Sequence, residues 1–194
     1  MTSDQKYKGP VDIFIGGAGD VKTKLVKRYQ VAFKARHKTR SVFYFEHTQF
    51  GQAQSTLDAL PAGQDINLIG HSYGAAMAVR LAKNSDKIIN TLIGVDPVNK
   101  LIVSKGPKVL KDVRRIVMVT ATGTENRLYD GNTIALVGRV FGGGVPKTFK
   151  HDTALQIHAP FAHYNFYALM EYKDPQGISA VSYTHLTLPT ICSV

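Results

Sequence analysis

With 194 residues, 44% of them hydrophobic, the chain suits one domain with a sizeable core and stops well short of the length at which cores split. No apolar run approaches the roughly 18 residues of a membrane span, residues 1–10 are polar rather than leader-like, and the single cysteine, Cys192, rules out an internal disulfide framework. The default expectation is a cytoplasmic protein, with leaderless secretion left open. The formal net charge of +10 is uneven, because Lys22, Lys24, Lys27, Arg28, Lys34, Arg36, Lys38 and Arg40 follow one another with no acid after Asp20. Such a stretch suits either an anionic membrane surface or a solvated helix face. No aromatic interleaving or nucleic-acid motif accompanies it, so nucleic acid is not an expected partner.

In chain order, Val11 to Ile15 reads as a strand running into the loop Gly16-Gly17-Ala18-Gly19-Asp20. Leu25, Tyr29, Ala32 and Phe33 recur at helical spacing and predict a helix over 22–38, followed by a strand over 41–45. A second helix is expected over 52–60, a strand over 66–69 and a helix from about Ala75. Residues 88–95, 113–120 and 154–157 supply three further strands, and Phe166 to Met170 a last helix. Alternating strands and helices predict an α/β fold: a mostly parallel sheet of about six strands with helices on both faces.

Two segments interrupt this pattern within what otherwise reads as a single domain over 1–180. Residues 123–152 form a long insertion, read as a lid over a site or as a peripheral helix. Residues 181–194 continue nothing before them and resemble translated sequencing-adapter read-through. They are set apart as a non-native tail, with no role for His185 or Cys192, against the competing view of a real final strand.

Chemistry enters at Gly70-His71-Ser72-Tyr73-Gly74, where the apolar run 66–69 stops and a helix starts. The G-x-S-x-G spacing places small residues around a tight strand-to-helix turn that leaves the serine hydroxyl exposed. The plainer alternative is a serine that merely caps the helix. This motif, Gly94-Val95-Asp96-Pro97-Val98 and a late histidine resemble the α/β-hydrolases, most closely their lipase and esterase branch, over about residues 10–170. The chain lacks the pair of strands with which that family's sheet usually opens, so the resemblance is to a minimal core.

The resemblance implies a serine esterase whose Ser72 attacks an acyl carbon, with a base and an acid following in chain order. Asp96 lies at the carboxyl end of a strand, the edge at which parallel sheets place their ligands, and is the favoured acid. Glu125 is the alternative, with Asp130 less convincing, and the plain reading of Asp96 is a loop cap before Pro97. His163, on a loop after the last strand, is the favoured base over His158 and His151, while His71 is read as supporting the turn. An oxyanion hole is expected from the amides of Tyr73 and Gly17. No metal and no cofactor are called for, since neither a metal-ligand spacing nor a nucleotide-binding glycine pattern is present. The substrate is read as a small-molecule or lipid ester, including a phospholipid. A thioester or amide would use the same residues, and an inactive hydrolase-shaped binding module is the rival from another class.

Overall fold

A computed structural model describes residues 7, 9–98, 110, 112–123 and 154–185. Its strands are β1 (Val11–Gly16), β2 (Ser41–Glu46), β3 (Ile66–His71), β4 (Thr91–Val95), β5 (Ile116–Ala121) and β6 (Ala154–Ala159), in the order β2-β1-β3-β4-β5-β6. Every pair is parallel. The helices are α1 (Asp20–Thr23), α2 (Leu25–Arg36), α3 (Phe50–Asp58), α4 (Tyr73–Lys83) and α5 (Phe166–Glu171). This three-layer α/β sandwich around a six-stranded parallel sheet is the expected class.

Layering follows from the alternation of side chains along each strand. Ile13, Ile15, Leu68, Leu92 and Ile116 join Leu57 of α3 and Met77 and Leu81 of α4 on one face. Phe14, Ile69, Ile93, Val117 and Ile157 join Val26, Tyr29 and Phe33 of α2 and Phe166 and Leu169 of α5 on the other. Both faces of the central strands are therefore dry, which is why they read as continuous apolar runs. Among the described residues no helix is long and apolar enough to cross a membrane.

Several expected boundaries move. The single helix over 22–38 is two helices, broken at Lys24 in the left-handed region at φ 54°. Two contacts hold the break: the Asp20 carboxylate accepts the Val26 N–H at 2.9 Å, and Lys24 Nζ reaches Glu46 at 2.9 Å. The strand expected from 88 starts only at Thr91, and that expected from 113 only at Ile116. Ile89 and Val113 instead form an isolated parallel bridge below the ladder.

The basic stretch is not one free cationic face. The Arg40 side chain is buried and grips Asp12 through two bonds of 2.6 and 2.7 Å, and Arg36 pairs with Glu171 at 3.0 Å. With Lys24 also paired, Lys22, Lys27, Arg28, Lys34 and Lys38 remain as the exposed members.

Within the segment set apart as a tail, the first residues are described. Residues 181–185 pack beneath the sheet as the 3-10 turn Val181–Thr184, not as a strand. The Thr184 carbonyl accepts from Arg40 Nη2 at 2.9 Å, and His185 lies against His37 with ring centroids 4.5 Å apart. The rest of the tail, including Cys192, lies outside the described residues, as do residues 124–152 of the insertion with Glu125, Asp130 and His151.

Candidate active site

At the carboxyl end of β3 the chain reverses into α4 through Ser72, whose φ of 55° and ψ of −122° no unstrained serine adopts. Such a conformation costs about 1–3 kcal/mol and persists only where surrounding contacts over-determine it. They do so here. The Ser72 N–H donates to the Val95 carbonyl at 2.9 Å, and its own carbonyl accepts from Ala75 and Val98 at 3.1 and 3.3 Å. The Ser72 side chain makes no helix-capping hydrogen bond, so the capping alternative gives no account of it.

The flanking glycines are required by close approach of backbones. A Cβ on Gly70 would stand 2.5 Å from the Ala75 Cα, and one on Gly74 would strike the Ile15 carbonyl oxygen and stand 2.7 Å from that of Gly16. Gly74→Ala should therefore force α4 away from the end of β1. The expected loss is about 1–3 kcal/mol, as for an overpacked core, read as a lower urea midpoint at unchanged slope.

That approach places the loop after β1 beside the serine. Gly17 is buried, and a Cβ added to it would lie 2.9 Å from the Ser72 Cβ and 3.5 Å from Oγ. Tyr73 opens α4, so its amide belongs to the first turn, where no intrahelical acceptor exists. Asp20 pins the loop: its N–H donates to the Gly17 carbonyl at 3.0 Å, and its Oδ2 accepts the Tyr44 hydroxyl at 2.5 Å. Burial, then the bond to Asp20, pushes the Tyr44 phenol above its ordinary range, keeping it a neutral donor.

Asp96 follows β4 with φ 39°, so two of the three non-glycine residues at positive φ among the described residues are Ser72 and Asp96. The Asp96 N–H continues the ladder to the Val119 carbonyl at 2.7 Å, while its Oδ1 accepts from the Ala121 N–H at 3.2 Å. Oδ2 accepts from His163 Nδ1 at 2.6 Å. With Asp96 1% and His163 6% exposed, this bond is shielded from water. It selects the tautomer in which His163 Nδ1 carries the proton and Nε2 the lone pair.

The loop bearing His163 is fixed from two sides. Asn165 Oδ1 accepts the Ala168 N–H at 3.3 Å and caps α5, while His71 Nε2 donates to the His163 carbonyl at 2.8 Å. The two imidazoles lie 4.7 Å apart. Desolvation first, then the neighbouring His163, lowers the His71 pKa from 6.5 to about 3. Because folding depresses this pKa, the stability carried by neutral His71 is whole above pH 6.5 and is lost as the pH falls toward about 3. The His71 ring resonances should accordingly stay in the neutral position from pH 8 down to about 4, as followed by NMR.

The structure thus joins Asp96 to His163 directly. Ser72 bonds through its N–H to Val95, the residue before Asp96, and follows His71, whose Nε2 reaches the His163 carbonyl, while Gly17 packs against Ser72. His158 stands on β6 with an exposed side chain, apart from this cluster, and Glu125 and His151 lie outside the described residues. Among the described residues no three His, Cys, Asp or Glu side chains are grouped to hold a metal ion. Sequence reasoning missed Asp20 and Tyr44 as anchors of the glycine loop and gave His71 only the turn. The acid ending the glycine run was a visible signal, but the partner tyrosine comes from a different strand.

Neither a scan against protein-family models nor a search of curated proteins returns a match. Among solved structures the chain is similar to Est1E from Butyrivibrio proteoclasticus, at 15% identity and a TM-score of 0.44, over 87% of this chain and 86% of that one. At this distance the likeness carries no argument about chemistry.

Proposed function

We propose that the chain is a serine hydrolase that cleaves a carboxylic ester, of a small molecule or a lipid, through an acyl-enzyme on Ser72. The observation that carries this reading is the strained Ser72, its side chain unspent in capping, directly after a His71 whose ring lies 4.7 Å from that of His163, whose Nδ1 is held by a buried carboxylate at 2.6 Å. Structural economy gives no reason to pay for that combination.

In the reaction, His163 Nε2 takes the proton of Ser72 Oγ as the oxygen attacks the acyl carbon. Asp96 stabilises the imidazolium that results and keeps the ring in its working tautomer. Negative charge gathers on the former carbonyl oxygen, where the amides of Tyr73 and Gly17 donate to it. His163 then returns the proton to the leaving alcohol, and water, activated by the same imidazole, releases the acid from Ser72. Atoms balance without a cofactor: one ester and one water give one alcohol and one acid.

The test is a panel of short- and long-chain p-nitrophenyl esters alongside phospholipid vesicles. Turnover of at least one substrate with a first-turnover burst of alcohol supports the acyl-enzyme. A folded protein that turns over none of them contradicts the proposal and favours a hydrolase-shaped binding module.

A further inference from the structure

Between the first turns of α2 and α5 the fold leaves a cavity of about 230 Å³, walled by Leu25, Tyr29, Tyr164, Phe166 and Tyr167 and edged by Arg28. Two of its walls neighbour residues of the candidate site. Tyr164 is the residue after His163, and the buried Phe166 ring lies 5.3 Å from that of His71, the residue before Ser72. The volume is below the roughly 300–1,000 Å³ of a site for a whole drug-sized molecule, so it suits one arm of a substrate.

The cavity's charge is one-sided. Its lining holds no carboxylate. Glu171, the acid bonded to the lining residue Tyr29, is engaged by the Tyr29 hydroxyl at 2.9 Å and by Arg36 at 3.0 Å. Arg28, exposed on α2, enters none of the ion pairs among the described residues. A guanidinium offers a planar fork of donors matched to a carboxylate or phosphate, and aromatic walls take up an apolar tether.

We propose that this cavity is a substrate subsite for the acyl arm of an ester that carries an anionic group a few carbons from the carbonyl, and that Arg28 determines that specificity. The inference rests on the ester-hydrolase reading and deepens it. The shared chemistry is an oxyanion on a short apolar tether, which either a dicarboxylic half-ester or a phosphate-bearing acyl ester would present.

The experiment compares kcat/KM for mono-p-nitrophenyl glutarate, p-nitrophenyl pentanoate and a phosphonate-terminated ester of the same length. Wild type should favour the anionic esters by about tenfold to a hundredfold, the range of a hydrogen bond to a charged group. Arg28→Ala should bring that ratio to about one, whereas Lys34→Ala, an exposed cation further along α2, should keep it. A larger preference for the carboxylate or for the phosphonate identifies which source the site takes. A ratio near one in wild type, or one equal in wild type and Arg28→Ala, overturns the subsite while leaving ester hydrolysis standing. Should no ester turn over, NMR of Ser72→Ala titrated with monomethyl glutarate decides the matter. Arg28-dependent shifts at Tyr164 and Tyr167, absent with methyl pentanoate, support the subsite, and their absence overturns it.

Discussion

Ser72→Ala should lower kcat for ester hydrolysis by about 10⁶-fold, the scale seen when a serine hydrolase loses its nucleophile. The fold should survive the change, because Ser72 acts structurally through its backbone. Its N–H and carbonyl bonds to Val95, Ala75 and Val98 do not involve the hydroxyl, which caps nothing. Alanine at φ 55° bears the same strain as serine, so the unfolding free energy from urea titration should change by less than about 0.5 kcal/mol, in the range of a neutral substitution. Loss of turnover without loss of stability separates a chemical role from a purely architectural one. Pre-steady-state kinetics with a p-nitrophenyl ester would show the burst in wild type and none in the variant.

Asp96→Asn should lower kcat by about 10⁴-fold with a much smaller change in KM. An amide at this position can still accept from the Ala121 N–H, as Oδ1 does at 3.2 Å. What it cannot keep is the sense of the bond to His163. If its NH₂ faces the ring, it donates to Nδ1, and the proton moves to Nε2, the nitrogen required as base. The carboxylate that steadies the imidazolium is lost as well. Glu125→Gln should leave most of the activity, since the 2.6 Å contact to His163 Nδ1 is already made by Asp96. Steady-state kinetics on both variants checks the order: a large loss in Glu125→Gln with little in Asp96→Asn would move the acid to the insertion.

Much of this architecture could be read from local pattern. The runs Ile13 to Ile15, Leu68 and Ile69, and Ile116 to Val119 are apolar on both faces because helices cover both faces, and that is a local property of sequence. Ser72 was legible because the crowding that demands Gly70 and Gly74 acts within a single strand-turn-helix unit. Asp96 and His163 required a topological step, namely that parallel strands deliver their carboxyl ends to one edge.

What could not be read were the contacts between distant segments. The break at Lys24 depends on Asp20 and Glu46, the glycine loop is tied down by Tyr44, and the late start of β4 follows from the Ile89–Val113 bridge. Helical periodicity over 22–38 gives no sign of such a break, because the residues that cause it stand before the helix and on the neighbouring strand. Arg40 offers the same lesson. As one more cation in a basic stretch it reads as solvated, whereas Asp12, far back along the chain, makes it a buried ion-pair partner with a 2.6 Å bond.

The most direct test is to incubate the folded protein with a fluorophosphonate and locate the adduct by peptide mass spectrometry. The phosphonyl group should sit on Ser72 alone, form quickly in wild type, and form at least a hundredfold more slowly in Asp96→Asn, about the smallest contribution of a working acid–base pair. A wild-type protein that stays unmodified, or one modified at another residue at a rate indifferent to Asp96, would contradict the proposed nucleophile.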